Sequence, residues 1–180
     1  LPAVETLGCT TVICSDKTGT LTQNQMTVRY MASLDKVLRV TGDGYTPEGE
    51  FLDENSRVNP AQYLAFRIML ETSVYCNHAE ITGSDGSWDV QGDPTEAALL
   101  VMARKAKIVK ENVVVREIPF DSERKMMSVV VPYGRGYRVY VKGALEALLP
   151  CCKWVQKENR AETINFEHIK SFNRYQEEWA

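Results

Sequence analysis

Residues 126–141, MMSVVVPYGRGYRVYV, carry a strong signal for antiparallel β-structure. Two runs rich in β-branched and aromatic residues, 126–131 and 136–141, flank the segment Pro132-Tyr133-Gly134-Arg135. Such runs on either side of a Pro- and Gly-containing turn indicate two antiparallel strands joined as a hairpin. A third β-rich run, residues 113–118, lies just upstream and predicts a further strand.

Helices are predicted on both sides of this hairpin along the chain. Asn59-Pro60 and Asp93-Pro94 are good helix starts, because Asn and Asp accept the first free N–H groups and Pro has no N–H to leave unpaired. The helices are expected over residues 59–76, 93–107, 143–149 and 166–179. The first of them has apolar residues at near-helical spacing, and most of these are expected to form a core face. They are Ala61, Leu64, Ala65, Ile68, Val74 and Tyr75. The predicted class is α+β, mostly antiparallel β-sheet flanked by helices.

The first thirty residues have a different character. Residues 11–15, TVICS, are short, apolar and β-branched, and the polar run Asp-Lys-Thr-Gly-Thr-Leu-Thr follows at 16–22. This pattern predicts a buried strand that ends in a polar loop. A second strand is predicted over residues 25–30, and residues 41–59 are interpreted as an extended hairpin and loop.

Composition limits the possible functions. The 180 residues are 44% hydrophobic and 25% charged, which is typical of a globular chain with one main domain. A net charge of -3 gives no general attraction to nucleic acid, so we expect no nucleic-acid partner and expect local cationic groups to hold any phosphate. No apolar run approaches the roughly 18 residues that span a bilayer. The chain begins without Met and is interpreted as a piece of a longer protein.

The cysteines predict neither a zinc site nor a disulfide framework. Five cysteines are an odd number, and no two of them form a C-x-x-C pair. We therefore expect reduced and mostly buried thiols.

The loop that begins at Asp16 has the groups that phosphoryl transfer needs. Asp16 is a carboxylate nucleophile with Lys17 beside it, and hydroxyl and backbone donors at residues 18–20 can hold phosphate oxygens. An attack on the terminal phosphate of ATP also requires Mg²⁺ to neutralise charge. Position 18 is Thr, which cannot act as the general acid or base that would speed hydrolysis of an acyl phosphate. We therefore expect a long-lived phosphoenzyme. The alternative for the whole loop is a simple polar turn after a strand, with no catalytic role.

The heptapeptide DKTGTLT resembles the signature of P-type ATPases, and residues 4–28 are similar to the type II pumps, especially the calcium pumps. The resemblance implies that Asp16 is phosphorylated, that Lys17 and Thr18 take part in catalysis, and that Asp16 and Thr18 contribute to the Mg²⁺ site. It implies that the parent is a cation-translocating, ATP-hydrolysing enzyme. Calcium is the ion that the resemblance favours.

Three downstream segments resemble the nucleotide-binding motifs of the same family. GDPTEAAL at 92–99 implies that Glu96 reaches the adenine amino group, although Asp93 and Glu96 also fit a capping box. FDSERKMMS at 120–128 implies that Phe120 stacks on adenine and that Lys125 lies near the nucleotide. KGA at 142–144 implies that Lys142 lines the adenosine pocket and that Gly143 permits close packing. Taken singly, a core Phe and a surface Lys are the alternatives.

The resemblance also implies the domain organisation and the partners. Residues 1–27 are expected to begin a Rossmann-like phosphorylation domain, with its first strand, the aspartate loop and a hinge, and residues 28–180 to form the nucleotide-binding domain. ATP and Mg²⁺ are the implied cofactors. The implied partners are the phosphorylation, actuator and transmembrane domains of the pump, at the cytoplasmic face of a membrane. The transported cation is not expected to bind here.

Two rival functions stay open on the sequence. A haloacid-dehalogenase-type phosphatase would use Asp16 but would predict an acidic residue at position 18. A non-catalytic nucleotide-binding module would bind ATP without forming an aspartyl phosphate. The family motif G-D-G-x-N-D, which helps to complete the Mg²⁺ site, does not occur in the chain, so it is expected to bind ATP without turnover.

Overall fold

The computed structural model describes residues 11–12, 14–16, 25–84, 87–158 and 160–179. Its helices are α1 (Leu64–Tyr75), α2 (Pro94–Lys105), α3 (Leu145–Leu148) and α4 (Phe166–Trp179), with 3-10 turns at Pro60–Gln62 and Leu149–Cys151. Its strands are β1 (Tyr30–Ala32), β2 (Val37–Val40), β3 (Phe51–Asp53), β4 (Ser56–Val58), β5 (Glu80–Ser84), β6 (Ser87–Gln91), β7 (Arg116–Asp121), β8 (Met126–Tyr133), β9 (Gly136–Gly143), β10 (Trp154–Lys157) and β11 (Arg160–Thr163).

Every strand pairing in the described part of the chain is antiparallel. The strands form a sheet of order β1-β2-β3-β4, a sheet of order β7-β8-β9, and the two-stranded pairs β5-β6 and β10-β11. The predicted α+β class is confirmed. The central hairpin is also confirmed, although β8 continues through Pro132 and Tyr133, so that only Gly134 and Arg135 turn the chain.

Helix α1 packs against two hydrophobic cores. One core joins α1 and α2 to the first sheet, and its buried side chains include Leu38, Val40, Phe51, Phe66 and Leu70. The other core places Tyr75 and Cys76, at the end of α1, against β8 and β9 through Met127, Val129, Val131 and Tyr140. The helix therefore links the first sheet to the β7-β8-β9 sheet, which carries residues predicted to bind nucleotide.

Both predicted helix starts are confirmed by their capping hydrogen bonds. The Asn59 side chain accepts from the N–H of Ala61, and the Asp93 carboxylate accepts from the N–H groups of Thr95 and Glu96. After Asn59 a 3-10 turn comes first, so that α1 starts only at Leu64. Helices α2 and α4 lie where they were predicted, and none of the helices in the described part of the chain is long and apolar enough to cross a bilayer.

The predicted strand at residues 11–15 is wrong for the residues that are described. Residues 11, 12, 14 and 15 are exposed and lie outside any strand. A strand needs a neighbour for its N–H and C=O groups, and no described strand pairs with this segment. In the second candidate, residues 25–30, only Tyr30 enters a strand. The strand predicted at 113–118 begins at Arg116.

Two burial predictions also need correction. Ile68 is 37% exposed, because it lies outside the buried stripe of α1, which runs through Phe66, Leu70, Ser73 and Val74. Of the described cysteines only Cys76 is buried, whereas Cys14, Cys151 and Cys152 are exposed, so the thiols are not mostly buried.

Candidate functional site

An ion pair between Lys142 and Glu96 lies at the centre of the candidate site. The Lys142 Nζ is 2.7 Å from Glu96 Oε1, and the two side chains are only 23% and 15% exposed. The other carboxylate oxygen, Oε2, accepts the backbone N–H of His78 at 2.9 Å. Burial acts to raise the pKa of Glu96, but these two hydrogen bonds and the Lys142 charge outweigh it and lower that pKa. Glu96 is therefore held as a carboxylate.

Strand register explains why Lys142 faces Glu96. Lys142 is paired with Met127, which belongs to the buried core beneath the end of α1. Paired residues on neighbouring antiparallel strands point to the same face of the sheet. Lys142 therefore lies on the α1 side of the sheet, where the first turn of α2 brings Glu96 to meet it.

Gly143 is the next residue of β9 and sits where a side chain cannot fit. A Cβ atom at this position would lie 2.5 Å from the Lys125 carbonyl oxygen and 2.5 Å from the Met126 Cβ. The N–H of Ala144 donates to the same carbonyl oxygen of Lys125 at 2.9 Å. Gly143 thus allows the end of β9 to approach the start of β8 closely.

A β-bulge displays the ring of Phe120 at the edge of the site. Ile118 pairs with Ser128, but the next pair in register is Asp121 with Met126. Pro119 and Phe120 therefore oppose the single residue Met127, and such bulges re-aim side chains next to functional sites. Phe120 is 61% exposed. The alternative that Phe120 is a core residue is therefore wrong.

Lys125 closes the turn from β7 to β8 and points to solvent. Its backbone takes a left-handed conformation with φ 54°, and its N–H donates to the Asp121 carbonyl oxygen at 2.7 Å. Its Nζ lies 3.0 Å from Glu146 Oε1, and both side chains are about half exposed. The hydrogen bond from Lys125 lowers the pKa of Glu146. Lys125 is therefore a cation at the rim of the site.

The structure brings the predicted nucleotide residues to one end of the β7-β8-β9 sheet. Glu96 and Lys142 touch, Gly143 contacts the backbone of Lys125, and Phe120 opposes Met127, the strand partner of Lys142. The alternative that Asp93 and Glu96 form a capping box is correct for Asp93 but not for the Glu96 side chain. Asp93 does cap the helix, but the Glu96 carboxylate bonds Lys142 and the N–H of His78.

The predicted phosphorylation residues are less completely described. Asp16 is exposed, and its carbonyl oxygen accepts from Ser15 Oγ at 3.3 Å. Lys17 and Thr18 lie outside the described residues. Among the residues that are described, no group of three or more His, Cys, Asp or Glu side chains gathers to hold a metal ion. The described part of the chain thus supplies Asp16 alone toward the predicted Mg²⁺ site.

Sequence reasoning missed three residues around Glu96. The Nε2 of His78 is 2.7 Å from Glu117 Oε1, and its Nδ1 is 3.9 Å from Glu96 Oε2. The buried amide of Asn77 donates to the Glu96 carbonyl oxygen at 2.7 Å. A lone Asn-His pair after a helix carries no motif, so only the fold shows that these residues adjoin the site.

Comparison with known proteins gives a consistent family. Residues 65–180 match the family model described as P-type ATPase, cytoplasmic domain N. A calcium-transporting ATPase of Bacillus subtilis is 46% identical over 155 residues, which are 83% of this chain and 17% of that protein. The human calcium-transporting ATPase type 2C member 1 is 36% identical over 172 residues, 91% of this chain and 18% of that protein.

A third relative, the probable cation-transporting ATPase F of Mycobacterium tuberculosis, is 42% identical over 158 residues, 84% of this chain and 18% of that protein. The chain spans about a sixth of the length of these relatives. The family model covers more than half of the chain and includes every residue of the site around Glu96. This chain belongs to the family of P-type ATPase cytoplasmic N domains.

Proposed function

We propose that this chain binds ATP as the nucleotide-binding part of an ATP-driven cation pump. The observation that carries the proposal is that the half-buried Lys142–Glu96 pair and the exposed ring of Phe120 lie at the same end of the β7-β8-β9 sheet. Residues 28–180 form the nucleotide-binding domain in this proposal, and residues 1–27 begin the phosphorylation domain. The match of residues 65–180 to the N-domain family supports the first part of this division.

The polar groups of the pair complement the edge of adenine. Adenine presents its 6-amino group as a donor and N1 as an acceptor. In our proposal the Glu96 carboxylate accepts from the amino group and the Lys142 ammonium donates to N1. Guanine reverses both roles, with an acceptor at O6 and a donor at N1, and would leave both protein groups wrongly paired. The site should therefore prefer ATP to GTP.

The remaining residues of the site take two further roles. An exposed aromatic ring provides a surface on which a planar base stacks, and Phe120 takes this role. Lys125, at the rim, supplies positive charge on the side of the triphosphate. Such a local cation is needed because the overall charge of -3 does not attract phosphate. Because Gly143 has no Cβ, the end of β9 can lie close to the start of β8 beneath the base.

In the intact pump, a carboxylate oxygen of Asp16 attacks the γ-phosphorus of ATP, the bond to the ADP oxygen breaks, and ADP leaves. Lys17 and Thr18 assist, and Asp16 and Thr18 would contribute to holding Mg²⁺, which neutralises phosphate charge. The acyl phosphate then biases the membrane domain between two access states at the cytoplasmic face of a membrane. The names of the Bacillus and human relatives support calcium as the transported ion.

Isothermal titration of ATP into the chain tests the binding proposal. Phe120→Ala should weaken ATP binding by about 1–3 kcal/mol, the scale of one stacked base. Tyr137→Ala is the control, because Tyr137 is also an exposed aromatic residue of the same sheet, on β9. Equal affinities for wild type and Phe120→Ala would remove Phe120 from the site.

Incubation with γ-labelled ATP and Mg²⁺ separates this proposal from its rivals. We expect the chain to bind ATP without turnover and the intact pump to retain acid-stable label that Asp16→Asn abolishes. Rapid phosphate release that depends on Asp16 would indicate a phosphatase. ATP binding by an intact protein that never retains label would indicate a non-catalytic module.

A further inference from the structure

We propose that Asn77 is a positioning residue for adenine recognition, because it fixes Glu96 in the place from which the carboxylate meets the base. The proposal rests on the ATP site proposed above. Asn77 follows α1 directly after Cys76 and is 5% exposed. It is too deeply buried to contact a nucleotide itself, so any effect on the base must pass through its neighbours.

The side chain of Asn77 joins two helices. Its amide nitrogen donates to the Ser73 carbonyl oxygen in the last turn of α1 at 2.9 Å and to the Glu96 carbonyl oxygen in the first turn of α2 at 2.7 Å. Its Oδ1 accepts the N–H of Ala79 at 2.8 Å. Both amide hydrogens and the amide oxygen are thus used, which fixes the orientation of the group.

The same residue also sets the donor that holds the Glu96 carboxylate. His78 directly follows Asn77, and the His78 N–H donates to Glu96 Oε2 at 2.9 Å. The residues on either side of His78 are joined to each other, because the Ala79 N–H donates to the side-chain oxygen of Asn77. This bond fixes the conformation of segment 77–79. The Asn77 carbonyl oxygen accepts from Lys110 Nζ at 3.3 Å, which anchors the segment from another direction.

Asn77 thereby fixes both ends of the Glu96 residue. Its amide holds the main chain of Glu96, and the neighbouring N–H holds one carboxylate oxygen. The Asp93 cap satisfies N–H groups at the start of α2, but all its partners lie within α2 itself. Of these contacts, the Asn77 bond is the one that ties the first turn of α2 to the end of α1. A misplaced carboxylate loses its hydrogen bond to the base even when the helix remains folded.

A purely structural role makes a different prediction. If Asn77 only completed the C-terminus of α1 through the Ser73 carbonyl, its loss would lower stability and leave base preference unchanged. Ser73 offers a matched control, because its Oγ is also buried but donates to the Met69 carbonyl oxygen within α1. Ser73→Ala removes a buried hydrogen bond of α1 without touching α2.

The test is the ratio of ATP affinity to GTP affinity, measured by titration calorimetry together with the melting temperature. Asn77→Ala should lower this ratio about three- to tenfold, the effect of one hydrogen bond. Ser73→Ala should lower the melting temperature and leave the ratio unchanged. An unchanged ratio in folded Asn77→Ala would overturn the proposal.

A double-mutant cycle tests whether Asn77 acts through Glu96. In a Glu96→Ala background, Asn77→Ala should cause no further change in the ATP to GTP ratio. An equal loss in both backgrounds would overturn the proposal while leaving the ATP site intact. If Glu96→Ala alone leaves ATP affinity and base preference unaltered, the proposed role of Glu96 fails, and the role of Asn77 falls with it.

A measurement on the unaltered chain decides the question if Asn77→Ala does not fold. The side-chain amide signals of Asn77 and the backbone amide signal of His78 should shift when ATP is added, because both groups bond Glu96. The backbone amide of Glu50, which bonds Thr41 Oγ1, serves as the control and should not move. Failure of the Asn77 and His78 signals to move in the presence of bound ATP would overturn the proposal.

Discussion

The Glu96 carboxylate keeps its charge in a half-buried place because two donors face it. Lys142 and the His78 N–H each contribute a hydrogen bond, and the pKa of Glu96 is lowered despite the opposing effect of burial. A carboxyl with a lower pKa in the folded chain than in the unfolded chain contributes stability above its unfolded pKa. That contribution is lost as the pH falls through the folded value.

We expect this linkage to appear in the free energy of unfolding. Wild type should exceed Glu96→Gln in stability at neutral pH, and the difference should shrink as the pH falls below the ordinary Glu value of 4.5. Urea denaturation of both chains across that range measures it. Glu80→Gln, an exposed carboxyl on β5, is the control. A difference that stays constant with pH would show that ionisation of Glu96 does not stabilise the fold.

Gly143 gives a second test at the level of one residue. Gly143→Ala should cost about 1–3 kcal/mol, because the new methyl group would lie 2.5 Å from the Lys125 carbonyl oxygen. Gly136→Ala, at the other end of β9, is the control, since a Cβ there meets nothing within 4 Å. Chemical denaturation measures both. Equal stability of the two variants would contradict the close approach of β9 to β8.

The sequence could supply the residue types of the site but not their contacts. The motifs implied roles for Glu96, Phe120, Lys125, Lys142 and Gly143 one by one, and for the first four a purely structural role was the alternative. That Lys142 meets Glu96 depends on strand register and on how the start of α2 reaches the sheet. His78 was missed because it acts through its backbone N–H, which nearly every residue type possesses. Asn77 was missed because its side-chain amide binds the backbone carbonyl oxygen of Glu96, a contact that leaves no motif in the sequence.

Among the secondary-structure elements, α1 and β9 are joined by a partly buried polar cluster. Tyr140 Oη donates to Glu71 Oε2 at 2.7 Å, and Arg138 Nη1 lies 3.3 Å from the same oxygen. The rings of Tyr140 and Tyr75 stack with their centroids 4.9 Å apart. Burial and the hydrogen bond to Glu71 raise the pKa of Tyr140 to about 12. The cluster holds the strand that carries Lys142 against the helix that leads to Asn77.

Tyr140→Phe tests the contribution of this cluster. The ring stack survives, but Glu71 loses a hydrogen bond in a partly buried place, so we expect a loss of about 1–2 kcal/mol in the free energy of unfolding. Tyr137→Phe is the control, because Tyr137 lies on the same strand and is 69% exposed. Guanidinium denaturation gives the comparison. If Tyr140→Phe lost no more unfolding free energy than the control, the polar cluster would not stabilise the contact between α1 and β9.

Elements with strong local signals could be predicted, and those that depend on partners could not. Asn59 and Asp93 placed their helix starts because caps are local hydrogen bonds. The segment at 11–15 has a strand-like sequence but lacks a pairing strand among the described residues. The hairpin of β5 and β6 was missed, since its strands carry Gly, Ser and Asp rather than a clear apolar alternation.

At the scale of the whole molecule, one helix links two cores and one sheet end carries the proposed site. The chain is acidic overall, with a net charge of -3, and both site lysines already pair with carboxylates. In the proposed site, attraction of the triphosphate by charge alone is therefore weak, and we expect recognition of the base to supply much of the ATP affinity. The central claim is that this recognition occurs between Phe120 and the Lys142–Glu96 pair.

An NMR titration of the isotope-labelled chain with ATP tests this claim most directly. We expect the backbone signals of Phe120, Lys125 and Lys142 to shift together along one binding curve, and GTP at equal concentration to shift them less. Signals from the far end of the same sheet, at Gly134 and Gly136, should remain in place. Shifts that are confined to that far end, or no shift at concentrations where calorimetry detects ATP binding, would contradict it.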